Sequence, residues 1–413
     1  MSPKIERSET LNMVSKIHPA ATLALFCKVV DNYGDVGICW RLSRQLFDEH
    51  GIAVTLWLDD LRALQRIWPA AAVGIEIQVL DGVTVRYWHA DAGSFLPEDI
   101  ADTVIEFFGC EIPEAYVAAM AQRDTAPLWL NLEGLSAEAW VEGCHLLPSP
   151  HPRLPLTKYF FFPGFTASTG GLLQERALHE RRRMFQSSPA ASAKFLAGLG
   201  VTALEADARK ISLFCYPHAP VARLFATWQD QAQAITCLVP EGVAVDAVQA
   251  YLEMPAQPGA VRTRGALTVR VLPFVPQLDY DKLLWACDIN FVRGEDSFVR
   301  AQWAGKPFIW HIYPQDKNLH HVKLRAFLDR YAVGMPGLTE ASLAWNGALS
   351  AGTLHAESPV DWASRWSLFQ ADLPQMTQRA TEWIQQMQAN GDMTSNMLKF
   401  AASVVSKISK NPL

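Results

Sequence analysis

The alternation of short apolar runs with helical patterns constrains the fold of this sequence more than any other feature. The first repeat has an apolar strand at Thr22–Val30, a polar turn at Asp31–Gly37, a helical pattern at Ile38–Phe47 and a strand at Ile52–Leu58. In a strand–helix–strand unit of this kind, the helix connects two parallel strands through a right-handed crossover. Further apolar runs of this kind follow, so we predict parallel sheets with helices on both faces.

The second half of the chain shows the same alternation most clearly. Helical patterns separate five runs that predict strands, namely Ile211–Tyr216, Ala234–Val239, Leu267–Leu272, Ile289–Val292 and Pro307–Ile312. A chain of 413 residues is longer than a domain with one hydrophobic core usually is. We therefore predict two Rossmann-like domains, at residues 20–186 and 209–365. We place the crossing between them at Gln186–Ala208, and we expect a helical segment at Pro374–Lys410 to pack back on the first domain.

Two such domains in one α/β chain are expected to face each other across a cleft at the carboxyl ends of their sheets. This is the GT-B architecture of glycosyltransferases, with the acceptor on the first domain and the nucleotide sugar on the second. Phosphorylases and sugar-nucleotide epimerases share it, so the fold alone does not name a reaction. The stretch His145–Gly171 is rich in Pro, Gly and aromatic residues, which predicts a long loop.

The charge and the cysteines argue against several classes of function. The formal net charge is -6, whereas a nucleic-acid-binding surface is normally basic. The seven cysteines form no CxxC pair, which gives no support to a zinc or redox site and is typical of a reducing compartment. The apolar run Ala20–Phe26 is too short to span a membrane. We therefore predict a soluble cytoplasmic protein that uses no metal or other cofactor and binds neither nucleic acid nor a membrane.

The turn Asp31–Gly37 contains the first candidate catalytic residues. Its two glycines fall short of a dinucleotide fingerprint, and its carboxylates would repel a pyrophosphate. In one interpretation Asp31 ends the strand and Asp35 caps a helix that begins near Gly37. In the other, a carboxylate held at the edge of the cleft accepts a proton from the acceptor.

The segment Arg293–Ser297 follows a strand and begins a helix, which makes it a candidate anion site. Backbone N–H groups of Asp296 and Ser297, the helix dipole, Arg293 and the Ser297 hydroxyl would together bind a diphosphate. A capped helix with a salt-bridged arginine explains the same residues, since Glu295 and Asp296 also favour a first helical turn.

Aromatic residues at two other strand ends are candidates for binding a base. Phe214 and Tyr216 end the first strand of the second domain, while Phe274 and Gln277 follow the third strand. Aromatic rings can stack on a base, and the Gln277 amide can pair with a pyrimidine edge. For any one of these residues alone, an ordinary position in the core or in a loop is the better explanation, but all three strand ends should meet in one cleft.

Four motifs in this order resemble the elongation factor P–arginine rhamnosyltransferase family. They are Asp31–Gly37, His151–Leu156, Phe162–Thr166 and Arg293–Ser297, and the resemblance runs from about Leu23 to about Phe327. Each motif is weak alone, whereas their order along the chain is specific.

The resemblance implies an inverting, metal-independent GT-B enzyme. It would move L-rhamnose from dTDP-β-L-rhamnose to an arginine side chain of elongation factor P. By position, Asp35 matches the general base, Asp31 is its companion, and Glu295 matches a second essential carboxylate. The matching donor-binding set is Phe214, Tyr216, Phe274, Gln277, Arg293, Asp296 and Ser297.

Two alternatives remain open at the level of the sequence. Another GT-B sugar-nucleotide enzyme, heptosyltransferase-like or epimerase-like, would share the fold and the donor site. A sugar-nucleotide sensor without turnover would share the donor site but would gain nothing from Asp31 and Asp35, because paired acids beside an anionic ligand lower its affinity.

Overall fold

The chain forms two α/β units in a computed structural model that describes residues 21–31, 33–89, 93–349 and 361–410. The first unit contains the described residues up to Arg176 and those from Ala389 onwards, and the second contains Ala177–Gln388. The stretch Gln186–Ala208, where the sequence suggested a crossing, folds as part of the second unit. Asn32 of the first motif and the N-terminal extension Met1–His18 lie outside the described residues.

The first unit is built on an eight-stranded sheet in the order β3-β4-β2-β1-β5-β6-β8-β7. Its strands are β1 (Thr22–Cys27), β2 (Ala53–Leu58), β3 (Ile77–Leu80), β4 (Val83–Tyr87), β5 (Thr103–Phe107), β6 (Leu128–Leu132), β7 (Pro148–Pro150) and β8 (Thr157–Phe161). The helices that accompany them are α1 (Tyr33–His50), α2 (Leu61–Ile67), α3 (Glu114–Ala121) and α4 (Trp140–Cys144). The six inner strands are parallel, and the edge strands β3 and β7 are antiparallel to their neighbours.

The core of the first unit lies where the helices cover the apolar faces of the inner strands. β1 is buried from Leu23 to Cys27, so both of its faces are covered, as expected for a central parallel strand. Phe26 stacks on Trp57 at 5.3 Å between ring centroids and meets the edge of Tyr116 at 4.9 Å. These contacts join β1, β2 and α3 into one apolar cluster and fix the carboxyl end of β1.

The stretch His145–Gly171 corrects one sequence prediction. It is not a long loop, because β7 and β8 lie within it and pair with each other antiparallel. Pro148 and Pro150 are compatible with β7 because it is an edge strand and does not need every backbone N–H. β8 in turn pairs parallel with β6 and extends the sheet.

The second unit is built on a six-stranded sheet in the order β11-β12-β10-β9-β13-β14. Its strands are β9 (Arg209–Leu213), β10 (Ile235–Pro240), β11 (Val261–Arg264), β12 (Leu267–Leu272), β13 (Ile289–Arg293) and β14 (Phe308–His311). Its helices are α5 (Leu178–Gln186), α6 (Pro189–Gly198), α7 (Ala203–Asp207), α8 (Val221–Gln229), α9 (Val245–Leu252), α10 (Gln277–Ala286), α11 (Asp296–Ala304), α12 (Leu319–Tyr331), α13 (Pro336–Trp345) and α14 (Trp362–Ala389). Only β11 runs antiparallel, so the predicted α/β class is confirmed in both units.

The C-terminal segment contains two helices, although the sequence predicted one at Pro374–Lys410. α14 ends at Ala389, and α15 (Met393–Lys410) begins after Gly391, whose φ of +79° favours glycine and ends the helical path. α15 belongs to the first unit, where the Thr394 hydroxyl donates to Gln45 Oε1 at 2.9 Å. Across the described residues, no helix is both long and apolar enough to cross a membrane.

Candidate functional site

The Asp35 carboxylate lies at the carboxyl end of β1 and is buried. α1 begins at Tyr33, so Asp35 is inside its first turn and is not the cap of a helix that begins near Gly37. Its Oδ2 accepts the backbone N–H groups of Val30 and Asp31, each at 2.8 Å. The carboxylate therefore reaches back to the loop that leaves the strand, and this loop holds one of its two oxygens in place.

The surroundings of Asp35 favour its neutral form. Burial raises the pKa of Asp35 above its ordinary value, and the hydrogen bonds from Asp31 and Val30 only partly oppose this. The negative charges of Asp31 and Asp59 raise the pKa further. A carboxylate with a raised pKa is a stronger proton acceptor, which suits a general base.

Two more carboxylates stand at this edge of the first sheet. Asp31 follows β1, and the absence of a side chain at Gly34 lets it lie close, since a Cβ there would be 3.1 Å from Asp31 Oδ2. Asp59 follows β2 and accepts the Val29 N–H at 2.8 Å. The neighbouring Asp60 caps α2 by accepting the Arg62 N–H at 2.8 Å, so both acids after β2 have structural roles.

Sequence reasoning missed a set of buried polar residues that shape the loop Phe108–Glu111 at the same edge. The Glu106 carboxylate accepts the Glu111 N–H at 3.1 Å and pairs with the Lys158 ammonium at 3.0 Å. Asn131 Oδ1 accepts another amide of this loop at 2.9 Å. Their signal in the sequence is a charged or polar residue inside an otherwise apolar strand, in β5 and in β6.

Arg293 is the centre of the candidate donor site in the second unit. Its guanidinium carbon lies 4.4 Å from the ring centroid of Phe214 and 5.0 Å from that of Tyr216, and its Nη1 donates to the Cys215 carbonyl at 3.1 Å. The ends of β9 and β13 therefore meet, as predicted for adjacent parallel strands. Phe274 follows β12 at the same edge of this sheet.

The turn from β13 into α11 is closed by Ser297. Gly294 adopts a left-handed φ of +64°, which a residue without a side chain allows. The Ser297 hydroxyl accepts the Arg293 N–H at 3.0 Å and donates to the Arg293 carbonyl. The hydroxyl that the sequence predicted for anion binding is therefore engaged in the turn, where it holds the backbone of Arg293.

The two remaining candidates at this end of α11 have distinct positions. Glu295 is half-buried at the N-cap, and its side chain makes no capping hydrogen bond to the helix. Asp296 begins the helix, and its Oδ2 accepts the Gln277 amide at 3.2 Å. This bond joins the first residue of α10 to the first residue of α11, so Gln277 is fixed beside the turn.

Two histidines that the sequence did not single out lie beside Tyr216. His311 Nδ1 accepts the Tyr216 N–H at 3.2 Å, and His311 Nε2 lies 3.0 Å from His218 Nε2. Burial lowers the pKa of His311 to about 3, with smaller effects from His218 and Arg293. Burial also lowers the pKa of His218. No short-range pattern reveals the pair, because the two histidines are 93 residues apart in the chain.

Two of the four sequence motifs shape the first unit and do not contribute to these groups. His151 Nδ1 accepts the Leu154 N–H at 3.1 Å and closes a turn between β7 and β8. Gly164 lets Thr169 approach, since a Cβ there would be 2.6 Å from its hydroxyl oxygen. Phe165 is buried in the same loop. The other two motifs contain Asp31, Asp35, Arg293 and Ser297. Among the described residues, no three His, Cys, Asp or Glu side chains are grouped as metal ligands.

Comparison with known proteins gives a consistent set of relatives. A family model described as Elongation-Factor P (EF-P) rhamnosyltransferase EarP matches residues 23–402. A protein-arginine rhamnosyltransferase of Pseudomonas putida is 48% identical over 386 residues, which are 92% of this chain and 98% of that protein. One of Pseudomonas aeruginosa is 46% identical over 388 residues, which are 92% and 99%.

Solved structures agree with this result. One that describes the structural basis for EarP-mediated arginine glycosylation of translation elongation factor EF-P has a TM-score of 0.64 and 35% identity, and covers 93% of this chain and 99% of that chain. A UDP-glucosyltransferase from Polygonum tinctorium shares the fold alone, with a TM-score of 0.51 and 10% identity over 94% and 99% of the two chains. These similarities confirm the predicted glycosyltransferase fold of GT-B type.

The family resemblance inferred from four ordered motifs is thereby confirmed. The match covers nearly the whole chain and nearly the whole length of its relatives. The heptosyltransferase-like, epimerase-like and sensor alternatives receive no support from it. The chain belongs to the elongation factor P rhamnosyltransferase family.

Proposed function

We propose that the protein transfers L-rhamnose from dTDP-β-L-rhamnose to an arginine side chain of translation elongation factor P, with inversion at the anomeric carbon. The observation that carries the proposal is the cluster of Arg293, Phe214 and Tyr216 at the start of α11, in a chain that belongs to this family. Because its acceptor works in translation, we place the protein in the cytoplasm.

The second unit supplies the donor site in this proposal. Arg293 and the amide groups at the start of α11 bind the diphosphate, since a helix N-terminus and a guanidinium both favour an anion. The rings of Phe214, Tyr216 and Phe274 offer surfaces for the thymine base, and Gln277 pairs with its edge. Asp296 acts by holding Gln277 in position.

The first unit supplies the acids that act on the acceptor. The guanidinium of a free arginine has a pKa near ~13.8, so a carboxylate cannot remove its proton before attack. Asp35 instead orients the guanidinium and accepts a proton while the N–C bond forms and the bond from the sugar to the diphosphate breaks. Asp31 is its companion, because two carboxylates match the paired N–H groups of a planar guanidinium.

The leaving diphosphate gains negative charge as the sugar departs. Arg293 and the start of α11 stabilise that charge, so the scheme requires no metal ion. Glu295, at the N-cap of the same helix, is placed to balance positive charge on the sugar or on the acceptor.

Intact mass spectrometry of purified elongation factor P tests this function directly. Incubation with the protein and dTDP-rhamnose should add one deoxyhexosyl unit, and UDP-glucose should add nothing. An acceptor whose modified arginine is replaced by lysine should stay unmodified, because a compact ammonium does not offer the planar geometry of a guanidinium. Modification of the lysine variant, or none of the native acceptor, would contradict the proposal.

Thermal stability tests the donor half without turnover. dTDP should raise the Tm, while UDP and GDP at the same concentration should raise it much less. Equal stabilisation by all three nucleotides would remove the case for a thymine-selective site.

A further inference from the structure

The pair formed by His311 and His218 has a defined arrangement of protons. A backbone N–H can only donate, so the Tyr216 N–H at 3.2 Å requires His311 Nδ1 to be an acceptor without a proton. The proton of the neutral His311 ring is therefore on Nε2, which faces His218 Nε2 at 3.0 Å. His218 Nε2 must accept the hydrogen bond from this N–H, so the proton of the neutral His218 ring is on Nδ1.

The Nδ1–H of His218 is available to a ligand. His311 is fully buried, whereas His218 is exposed, and within the described part of the chain its Nδ1 makes no hydrogen bond. Its ring lies parallel to that of Tyr216, at 6.1 Å between centroids and 5° between planes. The Arg293 guanidinium lies 5.0 Å from the same Tyr216 ring. His311 pairs with Arg293 across β14 and β13, so its contact with His218 brings His218 to the strand end that carries the cationic group we assign to the diphosphate.

We propose that His218 is a further donor-binding residue whose Nδ1–H donates a hydrogen bond to the diphosphate of the nucleotide sugar, and that His311 is a positioning residue that fixes this tautomer. The inference rests on the donor assignment under the proposed function. The pKa values of both rings are lowered, so both are neutral at physiological pH and the tautomer is retained. A neutral N–H adds a directed contact where Arg293 already supplies the charge.

Substitution of His218 by asparagine or by glutamine distinguishes a role of Nδ1 from a role of Nε2. The amide nitrogen of asparagine can occupy the place of Nδ1, and that of glutamine the place of Nε2. His218→Asn should bind dTDP within about threefold of wild type by calorimetry, since one donor is kept. His218→Gln should bind about tenfold to a hundredfold more weakly, the range for one hydrogen bond to a charged group.

Two controls distinguish a diphosphate contact from a structural role. Thymidine, which has no phosphate, should bind equally to both variants in an NMR titration. His89→Gln, an exchange of an exposed histidine in the first unit, should leave dTDP binding unchanged. Equal dTDP affinity in His218→Gln and wild type would overturn the inference, as would a parallel loss of thymidine binding. A folded wild-type protein that binds no dTDP would overturn the donor assignment as well.

The His311→Asn variant tests the positioning role. The asparagine oxygen can still accept the Tyr216 N–H, but nothing then prevents protonation of His218 Nε2. On acidification from about pH 8 to pH 6, the dTDP affinity of His311→Asn should increase more than that of wild type, because the His311 N–H no longer occupies His218 Nε2 and this nitrogen can then bind a proton. The other charged or titratable groups around the pair, Arg293 and His320, are the same in both proteins. Identical pH profiles would show that His311 does not set the tautomer.

Discussion

Replacement of Asp35 by asparagine separates the chemical role of this residue from its structural role. Both hydrogen bonds that its carboxylate receives, from Val30 and Asp31, go to the same oxygen. An asparagine can place its carbonyl oxygen there and keep both bonds. It cannot accept a proton from the acceptor, so the change removes the proposed base and leaves the loop intact.

The substitution Asp35→Asn should lower activity by a large factor, whereas it should raise stability at pH 7. Loss of a general base lowers the rate by ~10²–10⁴-fold, which corresponds to about 2.7–5.4 kcal/mol of activation free energy. Because the pKa of Asp35 is raised in the folded state, its favourable contribution to stability is present below its ordinary value of 3.8 and is lost as the pH rises through the folded value. At pH 7 the ionised carboxylate therefore lowers stability, and Asp35→Asn removes that cost.

Three measurements on Asp35→Asn test this reasoning. Single-turnover mass spectrometry should show the slow transfer, calorimetry should show unchanged dTDP affinity, and the Tm relative to wild type should be higher at pH 7 than at pH 4. Asp60→Asn is a matched control, because asparagine caps α2 as well as aspartate does and the rate should not change. A rate for Asp35→Asn within about twofold of wild type would show that Asp35 only supports the loop, and an unfolded variant would refute the hydrogen-bond argument.

The remaining predictions concern the second unit. Arg293→Lys should weaken dTDP binding by at least about tenfold in calorimetry, because lysine lacks the planar face and the fork of N–H groups; unchanged affinity would contradict the assigned site. Arg300→Ala should lower the free energy of unfolding by roughly 3–5 kcal/mol in denaturant titration, since it leaves Asp281 buried without its bidentate partner at 2.6 and 2.9 Å. Burial acts to raise the pKa of Glu205, but the hydrogen bonds from Arg270 and Thr202 and the charge of Arg270 together lower it. The stability difference between wild type and Glu205→Gln should therefore be present at pH 7 and shrink below about pH 4.5. EDTA should leave turnover unchanged, and a loss that magnesium restores would contradict the metal-free scheme.

Some strands with mostly apolar residues could be predicted to the residue. β6 at Leu128–Leu132 and β12 at Leu267–Leu272 have the bounds that their apolar runs predict. β7 and β8 could not be predicted in this way. Their pairing with each other is what makes a Pro-rich segment a strand, and partners are not visible in a local pattern.

The start of α1 shows how tertiary contacts override local propensity. The sequence predicted a helix from Ile38, because Gly34 and Gly37 both disfavour one. The helix nevertheless begins at Tyr33. The Asp35 carboxylate binds the loop amides just before the helix, and this offsets part of the cost of the glycines. A residue proposed for chemistry thus also sets the boundary that sequence reasoning placed five residues later.

The candidate donor site could be anticipated because parallel strands end at one edge of their sheet. Phe214, Tyr216 and Arg293 were expected together for that reason, and the guanidinium does contact both rings. The bond between His311 and His218 could not be anticipated, since it depends on side-chain orientations at the ends of two different strands. Strand order predicts which loops meet, whereas hydrogen-bond partners within those loops depend on the packed structure.

The charges of the two candidate edges support the assignment of acceptor and donor to different units. In the first unit, Asp31, Asp35 and Asp59 follow adjacent strands, so a diphosphate there would meet several negative charges. In the second unit, Arg293 and the amide groups at the start of α11 favour an anion. The diphosphate is therefore attracted by the second edge and disfavoured by the first. This selection depends on the sign of charge and needs no contact specific to the base or the sugar. It makes the acidic turn Asp31–Gly37 unsuited to a nucleotide, although the glycines of the turn resemble part of a nucleotide-binding fingerprint.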